Sequence, residues 1–170
     1  GQNLFDRATA AFGNEWQVDE TATELIAKNE IRPLIIVGIG NTADRIDEYT
    51  MTVDARMNAG GAGRLYLAFL TDELKPWIDK TYRTESVREA TWIGGSSLGG
   101  LLSLHACMER PDVFSGCLAF SPSLAWDREQ IFDAISATNP WPANTKIWLS
   151  MGTLEGGSVE SQAANTRLTS

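Results

Sequence analysis

The segment 92–100 constrains the fold of this chain more than any other. It reads Trp-Ile-Gly-Gly-Ser-Ser-Leu-Gly-Gly, which places Ser97 at the centre of a Gly-x-Ser-x-Gly motif. Such a motif predicts a nucleophile elbow, a sharp strand-to-helix turn with the serine at its tip, in which Gly95 and Gly99 avoid collisions. A Gly/Ser-rich turn without chemistry is the alternative. The flanks favour the elbow, because a β-prone run ends at Ile93 and leucines at helical spacing follow Ser97.

Apolar runs alternate with helical patterns along the chain, which predicts an α/β fold. Alternation of this kind produces a mostly parallel sheet with helices on both faces, that is, a three-layer sandwich. The predicted strands are 34–39, 90–93, 116–120 and 145–151. The predicted helices are 19–28, 65–82 with a bend at Pro76, 98–108 and 127–137, with Asp19 or Thr21 and then Asp127 as the N-caps of the first and last.

Residues 44–63 are polar and rich in glycine, which predicts a long loop over the surface. The loop holds four acidic residues, and these raise the question of a metal site. They are Asp44, Asp47, Glu48 and Asp54. Neither a ligand spacing nor a histidine accompanies them, so we expect a solvated acidic loop and no bound metal.

Composition narrows the classes of protein and of partner. The chain has 170 residues, 43% of them hydrophobic, which suits a single globular domain. A net charge of −8 without a basic cluster argues against nucleic acid as a partner, and no apolar run is long enough to span a membrane. Cys107 and Cys117 lie in apolar surroundings, so we expect buried free thiols rather than a disulfide, and a cytoplasmic location.

Both ends of the chain look cut. The sequence opens at Gly1 without a strand before it and closes in a helical pattern without a cap. We therefore expect residues 1–170 to be one incomplete domain, lacking an upstream strand and a C-terminal segment.

A nucleophilic serine needs a base, an acid that orients the base, and donors for the developing oxyanion. The backbone N–H of Leu98 is the expected first oxyanion donor, because it follows the nucleophile at a helix N-terminus. Gln2 is the best candidate for the second donor. The acid of such sheets follows a later strand, which favours Glu155 directly after the strand predicted over 145–151. Glu160, one helical turn later, is the competitor.

The base is missing from this pattern. His105 is the only histidine and follows Ser97 by eight residues on the same predicted helix. At ~1.5 Å of rise per residue the two lie roughly 12 Å apart, beyond the reach of a proton transfer. We expect His105 to be a packed histidine. Either the catalytic histidine lies beyond Ser170 or the chain is inactive by itself.

Several short motifs together resemble the putative-esterase family. This is the α/β-hydrolase group related to esterase D, the enterochelin esterases and feruloyl or acetyl xylan esterases. The resemblance covers nearly the whole chain and is specific as a set. The motifs are Gly-Gln-Asn-Leu-Phe-Asp at 1–6, Gly-Ile-Gly-Asn at 38–41 with Arg45 and Asp-Glu-Tyr-Thr at 47–50, Leu-Lys-Pro-Trp-Ile-Asp at 74–79, the elbow, and Phe-Ser-Pro-Ser at 120–123.

The resemblance implies an α/β-hydrolase fold and a serine carboxylic ester hydrolase that works through an acyl-serine intermediate. It implies a small-molecule ester as substrate and no metal or organic cofactor. Ser97 matches the family nucleophile, Leu98 the oxyanion donor of the elbow, and Glu155 the acid.

Two further residues take their roles from the resemblance. Arg45, followed by Glu48, stands where relatives carry an Arg and an acidic residue near the site, which implies substrate orientation. The alternative is an ion pair that braces the loop. Trp126 resembles an aromatic that lines the substrate pocket, and its alternative role is part of the edge of the core.

Two other functions stay open at this point. Mycolyl transferases resemble the same family, so acyl transfer is one alternative. A catalytically incomplete hydrolase-like domain is the other, and the missing histidine is its support. The identity of the substrate and the oligomeric state are not readable from the residues.

Overall fold

The computed structural model describes residues 2–152, which divide into two compact units. The first unit runs to Ala43 and the second begins at Asp44. A single domain for the whole chain stays a prediction.

The first unit holds a 3₁₀ turn at Ala11–Gly13 and helix α1 at Val18–Ala27. Helix α1 confirms the helix predicted over 19–28. Its N-cap, however, is Gln17 in the left-handed conformation and without a side-chain capping bond, so Asp19 and Thr21 were wrong as caps. Both residues lie inside the first turn. There the carboxylate of Asp19 interacts favourably with the positive end of the helix dipole.

The buried strand predicted over 34–39 is wrong. This segment has no regular structure, and Leu34 and Ile35 are 46% and 49% exposed. A strand exists only where its backbone groups pair with those of another strand, and within residues 2–152 no segment forms a strand pair with this one.

The second unit begins with a short helix and a small hairpin instead of a surface loop. Helix α2 spans Arg45–Glu48, and β1 (Val53–Asp54) pairs antiparallel with β2 (Ala59–Gly60). The prediction of a surface excursion over 44–63 is therefore wrong. Thr50 is fully buried, because its hydroxyl donates to the carbonyl of Ile46 and accepts from the N–H of Gly61.

The next helical stretch confirms the helix predicted over 65–82. It consists of α3 (Gly63–Ala68), a π-helical segment (Phe69–Leu74) and α4 (Lys75–Thr81). Pro76 is the second residue of α4, which continues directly from the π-helical segment. The bend expected at Pro76 stays a prediction.

A three-stranded parallel sheet forms the centre of the second unit, as predicted. Its strands are β3 (Trp92–Ser96), β4 (Gly116–Phe120) and β5 (Lys146–Ser150), with β4 in the middle. Ser96, Phe120 and Ser150 stand in register at the carboxyl ends of the three strands. A 3₁₀ turn at Arg88–Ala90 delays the start of β3 by two residues relative to the sequence prediction.

Helix α5 (Leu98–Glu109) connects β3 to β4 and supplies more of the core than any other element of residues 2–152. It packs against both strands, and its leucines meet Ala119 and Cys117 of β4 within the core cluster. Cys107 and Cys117 are buried free thiols, as predicted. The opposite face of the sheet carries three exposed apolar side chains, those of Trp92, Leu118 and Trp148.

Helix α6 (Gln130–Ala137) connects β4 to β5, after a 3₁₀ turn at Trp126–Glu129. Asp127 is not the N-cap that the sequence predicts, because its φ of 45° places it in the left-handed region inside that turn. Glu129 takes the cap position. Among the helices of residues 2–152, none has the length and apolar character needed to cross a membrane.

Candidate active site

Ser97 is the single residue between the end of β3 and the start of α5. Its φ of 59° and ψ of −123° are uncommon for a residue with a side chain. Backbone hydrogen bonds hold this conformation, because the N–H of Ser97 donates to the carbonyl of Phe120 at 3.0 Å and its carbonyl accepts from Leu101 at 3.1 Å. The side chain is exposed. The segment thus presents a hydroxyl at the carboxyl end of a parallel strand.

The glycines of the motif differ in how strictly they are required. A Cβ on Gly95 would lie 2.6 Å from the carbonyl carbon of Gly99, so a side chain at Gly95 cannot fit without a backbone shift. A Cβ on Gly99 would meet only the ring of Tyr49, at 3.8 Å, an ordinary contact. The expectation that both positions exclude side chains therefore holds for Gly95 and is wrong for Gly99. Gly100 is tighter, with the carbonyl oxygen of Gly95 at 3.1 Å.

Ser123 is the residue of the site that sequence reasoning missed. Its hydroxyl lies 3.1 Å from that of Ser97, within hydrogen-bond distance. The N–H of Ser123 also donates to the carbonyl of Ser97 at 3.2 Å. The signal was the Ser-Pro-Ser sequence directly after β4, because β4 pairs with the strand that ends at the elbow.

A buried carboxylate fixes the loop that carries Ser123. Asp54 is 2% exposed and accepts from the N–H of Arg56 at 2.8 Å, from the Arg56 guanidinium at 2.8 Å and from the N–H of Asp127 at 3.1 Å. The hydrogen bonds from the Arg56 side chain hold the pKa of Asp54 well below its usual value. Arg56 also donates to the carbonyl of Ala125. The hairpin and the loop after β4 are thereby tied together.

Trp126 lies on this loop and packs at the edge of the core. Its ring is partly buried, and its indole N–H donates to the carbonyl of Thr52 at 3.1 Å. These contacts agree with a structural role at the core edge. A role in lining the substrate pocket stays a prediction.

Two of the four acidic residues of 44–63, Asp47 and Asp54, bind backbone N–H groups instead of being solvated. Asp47 accepts from the N–H of Gly60, and Asp54 is buried as described. The expectation of a solvated acidic loop is wrong for these two, because backbone N–H groups and Arg56 replace water around them. Within the described part of the chain, the acids grouped closely enough to share a cation are those of the first unit, Glu15, Asp19 and Glu20.

Arg45 contacts an aromatic ring next to the elbow. The guanidinium carbon lies 5.3 Å from the centroid of the Tyr49 ring, which is a cation–π contact. The same ring faces Gly99. Arg45 therefore places a positive charge near the start of α5, and the part that it and Glu48 play toward a substrate stays a prediction.

His105 is a packed histidine, as its position predicts. It lies in α5 and is 8% exposed. Burial, together with the positive charge of Arg64, lowers the pKa of His105 to about 4, so its imidazole is neutral at pH 7. Its place on the helix, roughly 12 Å along the axis from Ser97, leaves it out of reach of the serine.

The structure describes two of the remaining predicted site residues, Leu98 and Gln2, and does not describe the predicted acid. Leu98 is the first residue of α5, and the first four N–H groups of a helix have no intrahelical acceptor. Gln2 belongs to the first unit, where its side chain donates to Asn41 at 3.2 Å. Glu155, and its competitor Glu160, lie outside the described residues. The roles of all of them stay predictions.

Several known proteins similar to this chain are named as esterases. A family model described as "Putative esterase" matches residues 5–169. The ferri-bacillibactin esterase BesA of Bacillus subtilis is 30% identical over 170 residues, covering 87% of this chain and 57% of that protein. The iron(III) salmochelin esterase of Escherichia coli is 28% identical over 150 residues, covering 79% of this chain and 34% of its own length.

Solved structures share the fold. An IroE-like serine hydrolase from Shewanella oneidensis superposes with a TM-score of 0.72 at 24% identity, covering 89% of this chain and 54% of that one. The enterobactin esterase FES from Shigella flexneri superposes with a TM-score of 0.66 at 19% identity, covering 92% of this chain and 40% of that one. These likenesses confirm the predicted α/β-hydrolase-like fold. The chain spans little more than half the length of BesA. With the match over residues 5–169, the conclusion is that this chain belongs to the "Putative esterase" family.

Proposed function

We propose that this chain carries the nucleophile of a serine-dependent carboxylic ester hydrolase, and that Ser97 is that nucleophile. The observation that carries the proposal is the backbone of Ser97, held at a φ of 59° between β3 and α5 with its hydroxyl exposed. A strained, non-glycine residue persists only where the surrounding structure enforces it, and such residues cluster at active sites.

The proposed reaction has two steps. In the first, Ser97 Oγ bonds to the carbonyl carbon of the ester, a general base takes the hydroxyl proton, and the alcohol leaves after the base returns that proton to it. In the second, water attacks acyl-Ser97 by the same proton transfers and releases the carboxylic acid. In this proposal the N–H of Leu98, at the positive end of α5, donates to the oxyanion of both steps. This chemistry requires neither a metal ion nor an organic cofactor.

Other predicted residues complete the proposal. Glu155 is the acid that orients the base, and Gln2 supplies the second oxyanion donor. Arg45 and Trp126 contact the substrate. The base is a residue other than His105, whose burial and place on α5 exclude it.

The names of the relatives support a proposal for the substrate class. Two relatives carry the names ferri-bacillibactin esterase and iron(III) salmochelin esterase, and a relative from Emericella nidulans is named a siderophore enterobactin esterase. We therefore place the substrate among siderophore esters, which are small molecules. The cation of Arg45 beside Tyr49 supplies a positive charge that an anionic group of such a ligand can contact.

Two assays on the same set of variants test the proposed function. The first follows hydrolysis of a short-chain p-nitrophenyl ester, and the second follows covalent labelling by a fluorophosphonate, located by peptide mass analysis. We expect Ser97→Ala to lose both reactions, with hydrolysis falling by roughly a thousandfold or more. Ser121→Ala is the matched control on the neighbouring loop and keeps both. Equal and measurable rates in the wild-type chain and in Ser97→Ala contradict the proposal, and so does labelling at a residue other than Ser97.

A further inference from the structure

We infer that Ser123 is a positioning residue for Ser97, and that its hydroxyl donates a hydrogen bond to Ser97 Oγ. This inference rests on the proposed function of Ser97. It adds a second hydroxyl to the site, supplied by the segment after β4.

The two hydroxyls are held together by their backbones. The N–H of Ser97 donates to Phe120, the last residue of β4, at 3.0 Å. Three residues later the chain returns, and the N–H of Ser123 donates to the carbonyl of Ser97 at 3.2 Å. These bonds run in opposite directions between the same two segments, so the 3.1 Å separation of the side-chain oxygens follows from a fixed backbone.

The backbone that follows Ser123 is held by hydrogen bonds as well. Its carbonyl accepts from the N–H of Trp126 at 3.2 Å, and the indole of Trp126 is bonded in turn to Thr52 of the hairpin region. Pro122, directly before Ser123, is buried. The Ser123 hydroxyl is therefore presented to Ser97 by a segment that is anchored on both sides.

The direction of the hydrogen bond follows from what a nucleophile needs. A hydroxyl has one proton to donate and two lone pairs that accept. If Ser97 donated to Ser123, its proton would point away from a general base. If Ser123 donates, the Ser97 proton stays available to the base, and the bond strengthens as negative charge develops on Ser97 Oγ. The second arrangement orients the nucleophile and lowers the pKa of its hydroxyl.

A thiol at position 97 makes this effect measurable without any hydrolytic activity. In Ser97→Cys protein, the rate of alkylation by iodoacetamide as a function of pH gives the pKa of the introduced thiol, since the thiolate is the reactive form. Peptide mass analysis separates this signal from Cys107 and Cys117, which are buried. We expect Ser123→Ala in this background to raise the thiol pKa by about one unit, because a hydrogen bond to the charged form is lost.

Two isosteric variants separate the hydroxyl from packing. Ser123→Thr keeps the hydroxyl and is expected to hold the thiol pKa within a few tenths of a unit of the parent, whereas Ser123→Val is expected to raise it as Ser123→Ala does. Ser121→Ala, from the same loop, is expected to leave it unchanged. A thiol pKa that stays at the parent value in the Ala, Val and Thr variants overturns the positioning role. A rise of the thiol pKa in all three variants overturns it as well.

The wild-type serine provides the kinetic half of the test. Ser123→Ala is expected to lower kcat for the p-nitrophenyl ester by about tenfold with KM within about twofold, and Ser123→Thr is expected to recover most of the loss. Unchanged kcat in Ser123→Ala contradicts the inference while leaving Ser97 as nucleophile. Loss of the proposed function is recognised separately, by Ser97→Ala matching the wild-type chain, and the thiol titration still decides the role of Ser123 in that case.

Discussion

A Cβ atom built on Gly95 would lie 2.7 Å from the carbonyl oxygen of Gly99. The first turn of α5 thus passes directly against the last residues of β3. A Cβ atom built on Gly99 would face the ring of Tyr49, with the nearest ring carbon at 3.8 Å. The two glycines of the motif therefore have different roles. Gly95 lacks the Cβ that would collide, and Gly99 provides the backbone atoms with which it would collide.

Alanine substitutions should separate these two glycines. Gly95→Ala should destabilise the protein by about 2 kcal/mol or more, because the new methyl group displaces the start of α5. Gly99→Ala should be neutral or should stabilise by up to about 1 kcal/mol, because alanine is the better helix former. Urea unfolding of both variants at pH 7 is the measurement, and similar midpoints for the two would contradict this reading of the turn.

His105 should make the stability of the protein fall as the pH drops below about 6.5. Its folded pKa of about 4 lies below the ordinary value of 6.5, so the unfolded chain binds the proton first as the pH falls. Stability is therefore full above pH 6.5 and declines between 6.5 and 4, by up to about 3 kcal/mol in total.

His105→Gln tests this dependence, together with the exclusion of His105 as base. Urea unfolding at several pH values from 7 to 4.5 should show a flatter profile in the variant than in the wild-type chain. Fluorophosphonate labelling of Ser97 should stay within about twofold, because His105 is buried on α5 out of reach of the serine. Abolished labelling in a variant that is still folded would show that His105 takes part in the reaction.

Asp54 should stabilise the protein at neutral pH. The folded-state pKa lies below the unfolded value of 3.8, so this contribution is complete above about pH 4 and is lost as the pH falls through the folded pKa. Asp54→Asn should be less stable than the wild-type chain at pH 7, and the difference should narrow below pH 4. The control is Asp112→Asn, which removes the exposed partner of Arg110 and should change the urea midpoint far less.

Trp126 should contribute to stability through its indole N–H. Trp126→Phe removes the hydrogen bond to the carbonyl of Thr52 and part of the packing around Gly60, so the free energy of unfolding should fall by about 1 to 2 kcal/mol. The matched control is Trp77→Phe, because Trp77 is 56% exposed and should change stability by about 0.5 kcal/mol or less. Equal effects in the two variants would contradict the anchoring role of Trp126.

The elements around the elbow could be predicted because their signals are local. Leucine spacing placed a helix over 98–108, and the structure has Leu98–Glu109. The apolar run at 116–120 and the strand Gly116–Phe120 coincide. The run at 34–39 shows the limit, because an apolar segment becomes a strand only when another strand pairs with it, and no local pattern reports that.

The burial of polar residues could not be predicted for a related reason. Composition placed Asp54 in a solvated loop, yet its carboxylate is buried and accepts from Asp127, which lies 73 residues away along the chain. Ser123 was missed in the same way, since it lies 26 residues from Ser97 and reaches it only because β3 and β4 pair in one register. Hydrogen bonds across such separations depend on the completed fold.

The two backbone bonds between the elbow and the segment after β4 have a consequence for the order of folding. Ser97 can form its bonds to Phe120 and Ser123 only after β4 has docked beside β3, and contacts between residues this distant in sequence form late. A nascent or partly folded chain therefore has an ordinary serine at position 97. If Ser97 is the nucleophile that we propose, its acylation by a fluorophosphonate should therefore require an assembled sheet.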